Sequence, residues 1–279
     1  MSLVAGEITE LAPGVRRLLA PNPSMMTGPG TNTYLLGDKE IAVIDPGPAI
    51  PEHIEAIQEQ AGAPIKWILV THTHPDHSPA AAILAEATGA VKIGRNAPQG
   101  RHQDQTFIAD RVPEDGDGFE TDEFSVLVLQ TPGHASNHVC YLHQGHKFLF
   151  TGDHIINGST VVIDPPDGNM GDYLRSLARL KSVNMQAILP GHGEIMEDPQ
   201  EAVDWLINHR REREAKVIEA LKKQSNVTSR ELVPLVYDDV DKDRYELAEH
   251  SLLAHLILLE EELKVSMSNG RWKLTGSAS

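Results

Sequence analysis

Three histidines and one aspartate lie in the stretch from His72 to His77, within the segment THTHPDHS. The segment follows an apolar, β-branched run, Ile65 to Val70, which is typical of a buried strand. Ser78 as N-cap and Pro79 as first helical residue then predict the start of an alanine-rich helix. Imidazole and carboxylate groups are suitable ligands for Zn²⁺, Fe or Mn²⁺. A tight loop that carries these groups between two rigid elements therefore predicts a metal site.

Other residues that can bind a metal stand where further predicted strands end. They are Asp45 after Ile41–Ile44, His134 after Phe124–Gln130, Asp153 after Lys147–Phe150 and His192 after Gln186–Leu189. Because strand ends on one edge of a sheet converge, residues that are far apart in the sequence can meet there. Glycines next to His134, Asp153 and His192 permit the tight turns that aim these side chains. The interleaving of strands with helices predicts an α/β fold class.

The composition is that of a globular protein with an acidic balance of charge. The 279 residues are 40% hydrophobic and 23% charged, and the net charge is −16. Such a chain should repel nucleic acid at long range. No run approaches the roughly 20 apolar residues of a membrane helix, and the N-terminus shows no secretion signal. A single cysteine, Cys140, excludes internal disulfides, so these features together predict a cytoplasmic protein with no membrane partner.

Residues 201–279 have a different pattern and predict a second domain, which follows a first domain of residues 1–200. Three predicted helices, at 205–224, 229–237 and 243–263, precede a hairpin around Asn269-Gly270. This order resembles a small winged-helix unit, a class that includes nucleic-acid binders. With 12 basic and 15 acidic residues it has no basic excess, so a packing or substrate-cleft role is favoured. His209, Arg210 and Arg213 on its first helix either contact an anionic substrate or belong to a solvated helix face.

The ligand pattern resembles that of the metallo-β-lactamase superfamily over residues 20 to 200. It consists of His72-x-His74-x-Asp76-His77 followed by His134, Asp153 and His192, and the variant is similar to the glyoxalase II-like dinuclear hydrolases. The phrases GPGTNTYLLGD, IDPGP, THTHPDHS, TGDHIING and HLILLEEE extend the resemblance, nearly end to end, to the β-lactamase-like protein 2 family. The resemblance implies an αββα sandwich with a small C-terminal winged-helix-like domain.

The resemblance also implies a division of the ligands between two divalent metal ions, Zn²⁺ foremost, with Fe or Mn²⁺ as alternatives. His72, His74 and His134 would hold the first ion, Asp76, His77 and His192 the second, and Asp153 would bridge them. Asp76 and Asp153 are the candidate catalytic carboxylates. Asp45 would orient a ligand through a hydrogen bond, or it would cap the turn that follows its strand. Two groups of residues could line the substrate cleft or form hydrogen bonds within the loops. They are Thr31, Asn32 and Thr33 in the entry loop that leads into the first predicted strand, and Ser136, Asn137 and His138 after His134.

Three functions fit this pattern. The first is a metal-dependent hydrolase that uses a metal-bridging hydroxide on a small ester-type substrate, such as a thioester or lactone. The second is an endoribonuclease that prefers single strands, as described for a mitochondrial member of the β-lactamase-like protein 2 family. This function would need single-stranded RNA as partner and a path of basic side chains to bind it. The third is a winged-helix binding protein with a structural metal site. A non-hydrolytic variant, mononuclear iron sulfur-dioxygenase chemistry, would use only the first-site histidines. The sequence leaves the oligomeric state open.

Overall fold

The computed structural model describes residues 3–100 and 102–276. The chain groups into two compact units. The first comprises the residues up to 131 together with 137–161 and 183–199, and the second comprises 132–136, 162–182 and the residues from 200 onward. The predicted domain boundary at residue 200 stays a prediction.

The first unit contains a six-stranded sheet whose strands follow chain order. They are Ile8–Ala12 (β1), Val15–Leu19 (β2), Asn32–Leu36 (β3), Ile41–Ile44 (β4), Ile65–Leu69 (β5) and Val91–Ile93 (β6). The first four strands pair antiparallel, and β4, β5 and β6 pair in parallel. Parallel pairs need crossover connections, which are the helices Pro51–Ala61 (α1) and Ala80–Thr88 (α2).

A five-stranded sheet completes the first unit. Its strands are Gly118–Glu120 (β7), Ser125–Gln130 (β8), Val139–His143 (β9), Phe148–Gly152 (β10) and Ala187–Pro190 (β11), in the spatial order β11-β10-β9-β8-β7. Only the β10–β11 pair is parallel. The carboxyl ends of these two neighbouring strands therefore lie side by side.

Alternation along the strands explains how the layers of this unit pack. Tyr34 and Leu36 of β3 join a core that includes Val128, Tyr141 and Phe150 of the other sheet. The opposite face of the six-stranded sheet packs its own apolar side chains against α1 and α2. Successive strand residues point to opposite faces, so one sheet is buried against the second sheet on one side and against helices on the other.

The second unit holds the remaining helices. They are Met170–Leu180 (α3), Pro199–Lys223 (α4), Ser229–Val236 (α5) and Tyr245–Glu261 (α6), with a 3₁₀ turn at Lys242–Arg244 and a hairpin of Val265–Ser268 (β12) and Arg271–Leu274 (β13). A capping box begins α5, since Thr228 Oγ1 accepts from the Glu231 amide and the Glu231 carboxylate accepts from the Thr228 amide. Asn269 and Gly270 both have positive φ, as the tight hairpin turn requires.

The structure differs from the sequence prediction at a few places. The strands β1, β2 and β7 are additional, and Arg17 of β2 is buried because its guanidinium binds Glu194 at 2.9 Å. Ser78 does not cap α2, which begins at Ala80 with Pro79 as N-cap. The Ser78 hydroxyl donates instead to Asp104 Oδ2 at 2.7 Å. Among the described residues, no helix has the length and apolar character needed to cross a membrane.

Candidate metal centre

Four predicted ligands from three strand ends come together in the first unit. Asp76, His77, Asp153 and His192 each offer one nitrogen or oxygen atom, and these atoms all lie within 4.8 Å of one another. His77 Nε2 and His192 Nε2 are each 3.3 Å from Asp153 Oδ1, and His192 Nε2 is 3.2 Å from Asp76 Oδ2. Two imidazole nitrogens thus converge on one carboxylate oxygen, an arrangement in which a single cation could contact all three atoms.

Two glycines allow this close approach. A Cβ at Gly191 would lie 2.7 Å from His77 Cε1 and 2.8 Å from Asp153 Oδ1, so that any side chain at this position would displace both groups. Gly152 ends β10 with φ of 46°, and a Cβ at this position would lie only 2.3 Å from Thr71 Oγ1. The glycines predicted to aim the ligands therefore also make room for them.

Asp45 determines which nitrogen of His77 faces the site. Its carboxylate accepts from the Thr71 amide at 2.7 Å, from Thr71 Oγ1 at 2.7 Å and from His77 Nδ1 at 2.9 Å. Because His77 donates through Nδ1, its Nε2 is left to bind a metal. Asp45 itself adopts a left-handed conformation, with φ of 48°, and its carbonyl accepts from Thr33 Oγ1 at 2.7 Å.

The tautomers of His72 and His192 are also fixed by hydrogen bonds at Nδ1. His192 Nδ1 lies 3.1 Å from the Gly30 carbonyl, which can only accept, so His192 donates through Nδ1. His72 Nδ1 lies 3.0 Å from Thr71 Oγ1, whose single proton already points to Asp45, so His72 donates as well. All three rings therefore carry the Nδ1 proton and present Nε2.

The burial of the cluster and its mixture of charges shift the proton affinities of its members. Burial lowers the pKa of His192, but the Asp153 and Asp76 carboxylates outweigh it and raise that pKa to about 10. Burial likewise lowers the pKa of His77, yet the neighbouring carboxylates, Asp76 first, raise it well above its ordinary value. Burial raises the pKa of Asp153, but His192 and His77 hold it well below the usual range. The pocket thus favours positive charge at its centre.

His72 lies among other imidazoles, and its pKa shifts in the opposite direction to those of His77 and His192. Burial, with the neighbouring His77 and His74 imidazoles, lowers its pKa well below the ordinary value. The rings of His72 and His74 have their centroids 4.5 Å apart in an edge-to-face arrangement. A neutral imidazole is the form that binds metals, so the surroundings of His72 favour that form.

His134 lies in the second unit, on the segment 132–136. Its Nδ1 lies 2.7 Å from the Val162 carbonyl, which accepts, so this ring has the same tautomer as the three rings above. Gly133, with φ of 145°, packs so closely that a Cβ would lie 2.4 Å from Tyr173 Cα. The orientation of His134 is therefore set inside its own unit.

Five of the six candidate cleft residues are buried, and their hydrogen bonds stabilise the loops. The Asn32 amide donates to the carbonyls of Pro190 and Gly193, at 2.9 and 2.8 Å. The Asn137 amide donates to Thr73 Oγ1 at 2.7 Å. Thr31, Thr33 and His138 are also buried, whereas Ser136 is exposed. Contact between these residues and a substrate stays a prediction, and for the buried ones the observed bonds supply a structural role.

The three residues proposed for anion contact lie on α4. Arg213 is buried and donates to both carboxylate oxygens of Asp239, at 2.7 and 3.0 Å, and to the Val236 carbonyl. Arg210 is buried, with its guanidinium 5.2 Å from the Tyr173 ring centroid, and the His209 ring stacks on Trp205. Contact of these three residues with a substrate stays a prediction.

Sequence reasoning missed Thr71, Thr73 and the Gly30 carbonyl, which orient or support the ligands. Thr71 and Thr73 alternate with the histidines in THTHPDH, and this placement is the one signal that could have identified them. Thr73 Oγ1 donates to Gln103 Oε1 and accepts from Asn137, and its carbonyl accepts from the Asp104 amide at 2.7 Å. A backbone carbonyl such as that of Gly30 has no side-chain signature in a sequence.

Comparisons with known proteins show which families this chain is similar to. Residues 26–192 match the model of the metallo-beta-lactamase superfamily, and residues 228–272 match the beta-lactamase associated winged helix domain. The beta-lactamase-like protein 2 homolog of Drosophila melanogaster is 32% identical over 94% of this chain and 92% of its own. The atrochrysone carboxyl ACP thioesterase of Aspergillus chevalieri is 30% identical over 97% of this chain and 90% of its own.

A solved structure shows the same fold over nearly the whole chain. The beta-lactamase domain protein from Burkholderia ambifaria has a TM-score of 0.83 at 22% identity, covering 99% of this chain and 95% of its own. The α/β sandwich with a C-terminal winged-helix domain is thereby confirmed. On the match over residues 26–192 and the similarity to a relative that is covered over 92% of its length, the chain belongs to the metallo-beta-lactamase superfamily of hydrolases.

Proposed function

We propose that this hydrolase uses two divalent metal ions to cleave a small ester-type substrate, with a thioester as the first choice. The observation that carries the proposal is the convergence of His77, His192, Asp76 and Asp153 on a space small enough for one cation to contact all four.

The donor groups fit a metal ion. His77 Nε2 and His192 Nε2 are buried and have no partner in hydrogen-bond geometry among the described residues, although both lie 3.3 Å from Asp153 Oδ1. Buried polar atoms left in this state are costly unless something binds them. A set of imidazoles and carboxylates without cysteine suits Zn²⁺ first, and Fe or Mn²⁺ next.

We assign the ligands as the resemblance to the family implies. His72, His74 and His134 would hold one ion, Asp76, His77 and His192 the other, and Asp153 would contact both. When bound, such ions supply Lewis acidity and lower the pKa of water toward about 7, which provides a nucleophile at neutral pH. No serine or cysteine nucleophile is required.

The chain contributes orientation. The Asp45 carboxylate fixes the Nδ1 proton of His77, and the Gly30 carbonyl fixes that of His192, so that neither ring has to reorganise when an ion binds. The Asp153 side chain is only 13% exposed, which keeps its carboxylate from being fully hydrated. Charged groups held in a site that excludes water act more strongly on a reacting substrate than the same groups in solution.

The substrate class rests on charge and on one relative. A net charge of −16 opposes the approach of a polyanion such as RNA. The relative from Aspergillus chevalieri, named as a thioesterase of an acyl carrier protein, matches nearly the full length of both chains. A small thioester therefore fits better than a phosphodiester, although two-metal sites cleave both kinds of bond.

A side-by-side assay tests the proposal. Metal-replete protein should hydrolyse a small thioester or lactone faster than it cleaves single-stranded RNA, and Asp153→Ala should abolish both activities. Asp110→Ala is a matched control, because Asp110 is an exposed carboxylate that bonds to Lys92. RNA cleavage that exceeds thioester cleavage, and that disappears with Asp153→Ala, would overturn the substrate assignment. Full turnover by Asp153→Ala would overturn the ligand assignment.

A further inference from the structure

Two loops of the second unit are bonded to each other around His134. Ser136 Oγ donates to Asp167 Oδ1 at 2.5 Å, and the Asn169 amide donates to the Gly133 carbonyl at 2.8 Å. His134 Nδ1 donates to the Val162 carbonyl at 2.7 Å. The segment 132–136, which carries the predicted ligand, is therefore held in place by the segment 162–169, which we term the supporting strap.

The supporting strap is in turn fixed by α6. His250 Nδ1 of α6 lies 2.6 Å from Asp164 Oδ1, and the Ile163 amide donates to Ser251 Oγ at 3.4 Å. Ile163 and Ser251 are buried, whereas the side chains of His250 and Asp164 are 38% and 36% exposed. Both contacts lie within two residues of Val162, whose carbonyl sets the tautomer of His134.

The strap has little freedom to adjust. The Gly168 amide donates to the Asp164 carbonyl at 2.8 Å, and a Cβ at Gly168 would lie 2.6 Å from the Asp164 amide nitrogen. Asp164 is thus the point at which the strap turns back on itself and at which α6 contacts it. A shift of Asp164 would move the Val162 carbonyl, because only Ile163 separates them.

We propose that His250 is a positioning residue for the metal centre, which acts through Asp164 and the Val162 carbonyl to align His134. The inference rests on the proposed role of His134 as a metal ligand. It assigns to the C-terminal helices a function besides packing: α6, which belongs to the helical core of the winged-helix domain, becomes part of the support of a ligand. Such outer partners of metal-binding histidines commonly change metal affinity by about 10- to 100-fold. Since His250 acts through two further groups, we expect the lower end of that range.

The test is a cobalt titration of metal-free protein, followed through the visible absorption of the bound ion. His250→Leu should weaken the binding of one of the two ions about 10-fold and change the absorption band of that ion. His250→Asn should restore most of the affinity, because the asparagine amide can donate from nearly the position of Nδ1. Glu249→Gln is the matched control on the same helix, since Glu249 accepts from Ser229 instead of contacting the strap.

A purely structural role of the contact between His250 and Asp164 would give a different pattern. His250→Leu would then lower the melting temperature but bind cobalt with the parent affinity and the parent spectrum, which would overturn the proposal. His134→Ala, titrated in parallel, separates this result from a failure of the proposed function. If His134→Ala loses one ion while His250→Leu does not, only the positioning role is wrong. If His134→Ala binds both ions as the parent does, His134 is no ligand, and both the positioning role of His250 and the assignment of His134 to the first ion fail.

Discussion

Replacing Asp45 by asparagine is the sharpest perturbation of the metal centre that the structure offers. Asparagine has nearly the same size and also tolerates the left-handed conformation that Asp45 adopts. The aspartate accepts three hydrogen bonds, from the Thr71 amide, from Thr71 Oγ1 and from His77 Nδ1. An asparagine side chain has one acceptor oxygen and one donor amide, so at least one of these donors would face another donor.

The size of the effect follows from the bond that is lost. If the new amide faces His77, the ring must place its proton on Nε2, the atom that lies 3.3 Å from Asp153 Oδ1. A hydrogen bond to a charged group contributes about 1.5–3 kcal/mol. Loss of such an orienting partner commonly weakens metal binding by about 10- to 100-fold, or roughly 1.4–2.7 kcal/mol. We therefore expect Asp45→Asn to bind the second ion at least about 10-fold more weakly. The first ion should be affected as well, because Thr71 Oγ1 would lose its acceptor and could donate to His72 Nδ1.

Competition with a chelator of known affinity would measure this effect. Asp110→Asn serves as the control, because it makes the same chemical change at an exposed aspartate of the same unit. The fold should be checked by circular dichroism, so that a loss of affinity is not confused with unfolding. Parent affinity for both ions in Asp45→Asn would refute the conclusion that Asp45 orients His77.

Two further predictions concern the same pocket. Metal binding near pH 7–8 should release protons. Nearby carboxylates raise the pKa of His77 and bring that of His192 to about 10, so both rings carry a proton on Nε2 in this range. Each of these protons must leave before a cation binds. The metal affinity should therefore rise with pH through this range. Calorimetry in buffers of different ionisation enthalpy would show the proton release, and a binding enthalpy that is independent of the buffer would contradict it. Gly191→Ala should reduce metal affinity about 10-fold or more, since a Cβ there would collide with His77 and Asp153. Gly118→Ala, where a Cβ meets nothing within 4 Å, should bind metal as the parent does; equal affinities of the two alanine variants would rule out the crowding.

The candidate ligands could be found from the sequence because they are chemically distinctive and stand at strand ends. The apolar runs of β5, β10 and β11 locate the edge, and the sheet order then brings Asp153 and His192 to His77. The order of strands within a sheet is not written in any one segment. It follows from the pairing of whole strands, which for β10 and β11 joins residues nearly forty positions apart.

Other features escaped prediction because they depend on partners that are remote in the sequence. The segment VRRLL of β2 contains two arginines, and Arg17 is buried only because Glu194 reaches it. Asn32 and Asn137 look like polar lining of a cleft, yet their amides satisfy buried carbonyl and hydroxyl groups. The contact of His250 with Asp164 joins positions 86 residues apart and has no local signal.

The metal content of the protein tests the central claim most directly. The protein should be purified without added metal, and its metal content measured by elemental mass spectrometry. We expect about two ions per chain, as for a two-metal hydrolase. Asp153→Ala should lower that number, while Asp110→Ala should leave it unchanged. A single ion per chain in the parent, or two ions retained in Asp153→Ala, would contradict the assignment of a two-metal centre in which Asp153 contacts both ions.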